Sequence, residues 1–202
     1  MSTAPRRPRY FSGQLLTTED FEAEQSYHLE ARRRDTRHLH GWGVVSGLGV
    51  TPSGSGGVLV EPGLAIDGMG RAIVIPEQRE MTDPRQPIDD RGAPCGPTVE
   101  SETVTLCLAY AERPDEQTDP DRFVRETYVL EVHPGRTAGR EPREPCEHCI
   151  PIATVHWRDG ALRVDMRSRR ILVSTDALLE LINGLVRRVH ALEQVSPPSS
   201  PP

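Results

Sequence analysis

The sequence predicts an α+β protein with a mainly antiparallel β core, an N-terminal helix and a short C-terminal helix. Three observations carry that expectation. A capped, charge-ordered helical stretch opens the chain, short alternating apolar runs split by Gly- and Pro-rich turns fill its middle, and a helical apolar period appears after Thr175. The 202 residues are enough to bury a sizeable core. Hydrophobic residues are 36% and aromatic residues 4%, with 17 Gly and 19 Pro, so much of the chain is loop.

Residues 1–9 are polar, basic and proline-containing, and are expected to form a flexible arm that a partner orders. Residues 10–174 hold the helix and the β-rich domain. Thr17 is placed to cap the helix, with Asp20 three positions on as the acidic half of a capping box. Glu19, Asp20, Glu22 and Glu24 sit early and Arg32, Arg33, Arg34, Arg37, His38 and His40 late, which matches the helix dipole before Gly41 stops the run. Phe21, Tyr27, Leu29, Ala31 and Leu39 do not form one continuous stripe. Two readings follow: a solvent-facing helix laid across the β-domain by a few large anchors, or a helix that contacts another subunit.

Trp42–Val50 alternates apolar and small residues, and Gly41, Gly43, Gly47 and Gly49 point to close backbone approach or bulges. Val58–Val60 is a short strand; Leu64–Asp67 and Arg71–Ile75 flank the hairpin loop Gly68-Met69-Gly70. Glu77–Glu100 has no period and reads as a long loop. Thr103–Tyr110 and Arg125–Val132 are strands on either side of an acidic loop, and Ile150–Trp157 and Ala161–Met166 flank the Asp159-Gly160 hairpin signal. Six to eight strands result.

In residues 175–194 the apolar positions Leu178, Ile182, Leu185, Val189 and Leu192 step by four, three, four and three. β-branched residues hold one seam position and leucine the other, as in a parallel coiled coil, so this helix either makes a homo-oligomer or docks on the protein's own sheet. Residues 195–202, VSPPSSPP, read as a disordered tail.

The formal charge of −6 argues against nonspecific nucleic-acid binding as the main task. Its cations are overwhelmingly arginine, which suits bidentate contacts at protein interfaces and also follows from high-GC coding. No N-terminal signal core and no stretch of about 20 apolar residues occurs, so a cytoplasmic chain without a membrane span is expected. Four cysteines, Cys95, Cys107, Cys146 and Cys149, then read as thiols or metal ligands.

Cys146-Glu147-His148-Cys149 is the sharpest chemical signal, because CxxC on a turn brings two thiolates to one tetrahedral Zn²⁺. Completing a structural zinc site on Cys146 and Cys149 needs Cys95, Cys107, His133 or His148; ordinary free cysteines and a redox pair are the other readings. His28, His38 and His40 lack an HExxH frame, and His38 and His40 suit capping of the last helical turn. His156 reads as packed in its strand. Asp67, Asp89, Asp90, Asp115, Asp119 and Asp121 form no calcium loop and read as solvated loop acids. GxSxG, GxGxxG and a P-loop are absent, and no catalytic residue is assigned.

One segment carries a resemblance. Tyr10, Phe11, Gly13, Leu15, Leu16, Asp20, Phe21, Glu24, Gln25, Tyr27, Arg32, Arg37 and Leu39-His40-Gly41-Trp42-Gly43-Val44-Val45, with Gly47 and Leu48, form a pattern that resembles small proteins encoded in phage-tail-like contractile injection system clusters. The GLAID and GRAIVIPE segments match more loosely. The resemblance implies a structural or accessory part of a tail-like assembly; the reading adopted is an assembly component at the baseplate or tail end, with other tail or baseplate proteins as partners and no enzymatic activity expected. A zinc-stabilised binding module outside any tail is the alternative, and a hydrolase a weaker third.

Overall fold

Helix α1 (Thr18–Leu39) opens the fold where the capping pattern puts it, in a computed structural model that describes residues 5–116, 118, 122–135, 148–158, 161–173 and 175–195. Asp20 Oδ2 accepts the Thr17 backbone N–H at 3.0 Å. At the other end the backbone N–H groups of His40 and Gly41 bond to Thr36 O and Arg37 O, so the main chain fills the capping role expected of the His38 and His40 rings.

Among the described residues eleven strands follow: β1 (Gly43–Gly47), β2 (Val50–Pro52), β3 (Val58–Val60), β4 (Gly63–Ile66), β5 (Ala72–Ile75), β6 (Arg79–Met81), β7 (Ile88–Asp89), β8 (Thr103–Pro114), β9 (Val124–Pro134), β10 (Cys149–Arg158) and β11 (Ala161–Asp165). They form three antiparallel sheets, ordered β1-β4-β5, β2-β3-β6 and β11-β10-β8-β9-β7. The fold class is α+β with a dominant β core, as the alternation predicts.

Three departures have local causes. The single strand expected over Trp42–Val50 is broken in two, because Gly47 (φ +60°) and Leu48 (φ +56°) both enter the left-handed region. A Cβ at Gly47 would stand 2.0 Å from Pro62 O, so only glycine permits that crossing, while Leu48 accepts the strain to seat its side chain, fully buried, in the core. The expected loop 77–100 contains β6 and β7, which are too short to show a period and are held by backbone pairing to β3 and β9. The acidic loop starts later than expected, since β8 runs on to Pro114 and pairs in register with β9 down to Pro114↔Val124.

All three sheets contribute to one apolar cluster, including Leu48, Val58, Ile73, Ile75, Leu106, Leu108, Leu130 and Ile152. β8 is the central strand of the five-stranded sheet, which is why Val104, Leu106 and Leu108 are fully buried. β10 carries a bulge between Pro151 and Ala153, so the adjacent residues Ile152 and Ala153 are both buried in the shared core.

Asp67 corrects the reading of it as a solvated loop acid, because it is fully buried. Its Oδ1 accepts the backbone N–H of Met69 (2.9 Å) and Arg71 (2.8 Å), and its Oδ2 the Nε–H of Arg71 (2.5 Å). Arg71 in turn lies over the Tyr110 ring, 4.6 Å from its centroid. Of the other acids, Asp119 and Asp121 lie outside the described residues, as do Cys146, Asp159, Gly160, residues 1–4 of the arm and the tail beyond Val195.

The chain divides into two compact units, residues 1–171 and 172–202. The second contains α2 (Thr175–Val195). In α2 the seam residues Leu178, Ile182, Leu185, Val189 and Leu192 are 44–69% exposed. Among the described residues no helix is long and apolar enough to cross a membrane.

Replacing Asp67 by Ala strips two backbone amides and a guanidinium of their acceptor at once, and is expected to cost about 3–5 kcal/mol of stability. Asp67→Asn keeps an acceptor and is expected to cost about 1–3 kcal/mol. Denaturant unfolding measures both; equal, small losses would contradict this role for the carboxylate.

Candidate functional site

Among the described residues, the outer face of the five-stranded sheet holds a cluster of soft donor atoms. Along β8 the side chains of Val104, Leu106 and Leu108 enter the shared core, so period two sends Thr105, Cys107 and Ala109 to the other face. Cys107 stands opposite Glu131 on β9 and opposite Pro151 on β10. His133 is two residues beyond Glu131 and Cys149 two before Pro151, so both share the face of Cys107. The three residues lie on a diagonal across β10, β8 and β9.

Their donor atoms lie within 4.8 Å of one another. Cys149 Sγ is 3.9 Å from His133 Nε2, and Glu131 Oε2 is 3.0 Å from the same nitrogen. Cys107 and Cys149 are each 3% exposed and form a small buried cluster with Ala109, apart from the main core, while the His133 ring is about half exposed. Two sulfurs and one imidazole nitrogen on rigid strands make a donor set for a borderline-soft cation and not for calcium or magnesium, which take oxygen.

Of the residues singled out by CxxC, Cys149 begins β10 and joins the cluster, and Cys146 lies outside the described residues. The four candidates for completing a site separate cleanly. Cys107 and His133 are brought together; Cys95 and His148 are exposed and stand outside the cluster. The Cys95 thiol is pushed up by partial burial and by the negative charges of Asp89 and Glu131. Sequence alone could flag Cys107 as an apolar residue out of phase with Val104, Leu106 and Leu108. Its nearness to His133 depends on strand register, which composition does not carry. His156 is half-buried, with Nδ1 3.1 Å from Thr103 Oγ1.

A second surface is built on α1. None of its 22 residues is buried. Phe21 is 51% and Leu39 77% exposed, and the segment between the arm and the helix adds Phe11 at 70% and Leu15 at 85%. That segment folds back through Tyr10, whose hydroxyl donates to Glu24 Oε2 at 3.0 Å. The helix meets the β-domain through polar contacts near its C-terminal end: Arg33 Nη2 reaches the Tyr110 hydroxyl (3.5 Å) and Glu112 (3.4 Å), and Arg32 reaches Glu126 (3.6 Å).

A cavity of about 450 Å³ on the β-domain is lined by Arg79, Asp90, Arg113, Arg125, Glu126 and Tyr128 among others. Its guanidinium groups are engaged within the chain: Arg79 with Glu77 (2.9 Å), Arg113 with Asp90 (2.8 Å) and Arg125 with Asp115 (2.8 Å). Burial pushes the Asp90 carboxyl up, but hydrogen bonds from Arg113 and Thr127 outweigh it and hold the group below the usual carboxylate range.

No protein-family model and no curated protein sequence matches this chain. Among solved structures, a chain of the baseplate complex from the type VI secretion system aligns with 99% of this chain and 72% of its own length, at 17% identity and a TM-score of 0.40. At that distance the likeness carries no argument about this chain's role.

Proposed function

We propose that this protein is a non-enzymatic assembly component of a contractile, phage-tail-like injection particle, seated at the baseplate or tail end by its N-terminal arm and α1. The observation that carries the reading is the unburied helix. Most helical stability in proteins comes from packing an apolar face rather than from propensity. Here α1 holds four exposed large apolar residues within or just before it, Leu15, Leu16, Phe21 and Leu39, and its contacts with the β-domain near its C-terminal end are guanidinium contacts. The same stretch carries the residue pattern that resembles the injection-system proteins, so the resemblance and the exposed surface coincide. A zinc-stabilised binding module outside a particle is the second reading, favoured by the Cys107, His133 and Cys149 cluster.

α2 adds a self-association surface. Ile182 and Val189 at one seam position with Leu178, Leu185 and Leu192 at the other are the combination that favours two parallel strands, so its occupant is a second copy of α2. A particle would raise the local concentration of paired copies further. Truncation after residue 173 is expected to convert a dimer into a folded monomer with unchanged strand content, read by light scattering and circular dichroism. A full-length chain that is monomeric at micromolar concentration would contradict the dimer.

The assembly role is tested by the double variant Phe21→Ala, Tyr27→Ala. Phe21 is half exposed, so its loss should cost the isolated chain about 1 kcal/mol or less, and Tyr27, half-buried, somewhat more. An interface anchor costs about 2 kcal/mol or more of binding, roughly a 30-fold loss in affinity for the particle. Thermal unfolding of the chain alone and its recovery with sheath and baseplate proteins separate the two. A large fall in melting temperature with normal incorporation would refute the role given to this helix.

A further inference from the structure

We propose that Cys107, His133 and Cys149 are three ligands of a structural Zn²⁺ that clamps β8, β9 and β10 together. Around one tetrahedral zinc with bonds of about 2.0–2.3 Å, ligand atoms stand about 3.3–3.8 Å apart. Cys149 Sγ and His133 Nε2 are already 3.9 Å apart, and all three donors fall within 4.8 Å, so closing on a metal needs side-chain shifts and no change of backbone.

The framework is preorganised. Cys107 is held between neighbours that pair with it on both sides, Glu131 and Pro151, and the two cysteines are buried. The ligands are far apart in sequence and adjacent in the sheet, so a bound ion cross-links three strands, which is how a structural zinc contributes folding energy. The two cysteine thiols release their protons to solvent on binding and ligate as thiolates. Glu131, which now meets His133 Nε2, either swings to the metal as an oxygen ligand or turns away when that nitrogen coordinates. This site differs from a CxxC-only site in that it takes one residue from each of three strands.

The test is metal analysis of the full chain, purified under reducing conditions and reconstituted with zinc, together with cobalt substitution, whose thiolate-to-cobalt charge-transfer bands report sulfur ligation. About one equivalent of zinc is expected, falling below about a tenth in Cys107→Ser, His133→Asn and Cys149→Ser, and unchanged in Cys95→Ser. His133 is half exposed, so His133→Asn keeps the fold and reads metal loss without unfolding; far-UV circular dichroism checks this. Persistence of bound zinc in Cys146→Ser supports the three-strand site. Zinc lost in Cys146→Ser but retained in Cys107→Ser and His133→Asn overturns it, as does a reconstituted wild type with less than about a tenth of an equivalent, or one whose Cys107 and Cys149 prove joined in a disulfide.

Discussion

The buried carboxylate of Asp67 is the constraint on which the placement of the N-terminal helix depends. It closes the 67–71 turn by accepting two backbone amides on Oδ1, and its Oδ2 holds the Arg71 guanidinium, which lies across the Tyr110 ring. Arg33 of α1 approaches that ring too, 5.7 Å from its centroid, and its carbonyl passes so close to Gly70 that a Cβ there would stand 2.0 Å away. Gly70 has φ +82°, so glycine serves the turn and the close approach together. Burial, then the hydrogen bond to Glu112, push the Tyr110 hydroxyl above its ordinary range, which keeps it a donor at this joint. A turn, a strand and a helix therefore meet on one carboxylate and one ring.

This joint explains how a helix with no buried residue keeps a fixed position. Cation–π contacts of this kind are worth about 0.5–2 kcal/mol each and exposed ion pairs about 0–1 kcal/mol, which together orient α1 without covering its apolar side chains. Arginine does the same elsewhere: Arg85 lies over Trp157 at 4.2 Å and Arg170 over Trp42 at 4.4 Å. Part of the arginine excess that composition assigns to protein interfaces is thus used inside the chain, to tie aromatic rings to loops in a protein with few aromatics.

The legible features of the sequence were the local ones. The α1 cap at Thr17, the stop at Gly41 and the hairpin β4–β5 follow from neighbouring residues and stand where capping or turn signals place them, and alternation finds β8, β9 and β10 but stops short of the full length of β8 and β9. What escaped depends on distant partners. β6 and β7 exist because β3 and β9 offer free edges, and Asp67 looks like any loop acid until Arg71 and two amides are seen to surround it. The donor cluster was half legible: Cys149 stood out through its CxxC, and Cys107 and His133 were two of four residues able to complete a site. Only the registers Cys107↔Glu131 and Cys107↔Pro151 select them.

The unburied face of α1 is the point at which the account is most directly tested. A photo-crosslinking amino acid placed at Leu16 or Phe21, both exposed, reports what lies against that face in assembled particles. The account predicts crosslinks to a baseplate or tail protein from these positions and none from Val74, which is exposed on the β-domain. Crosslinks confined to this chain's own residues, in particles that contain it, would contradict the claim that α1 is the docking element.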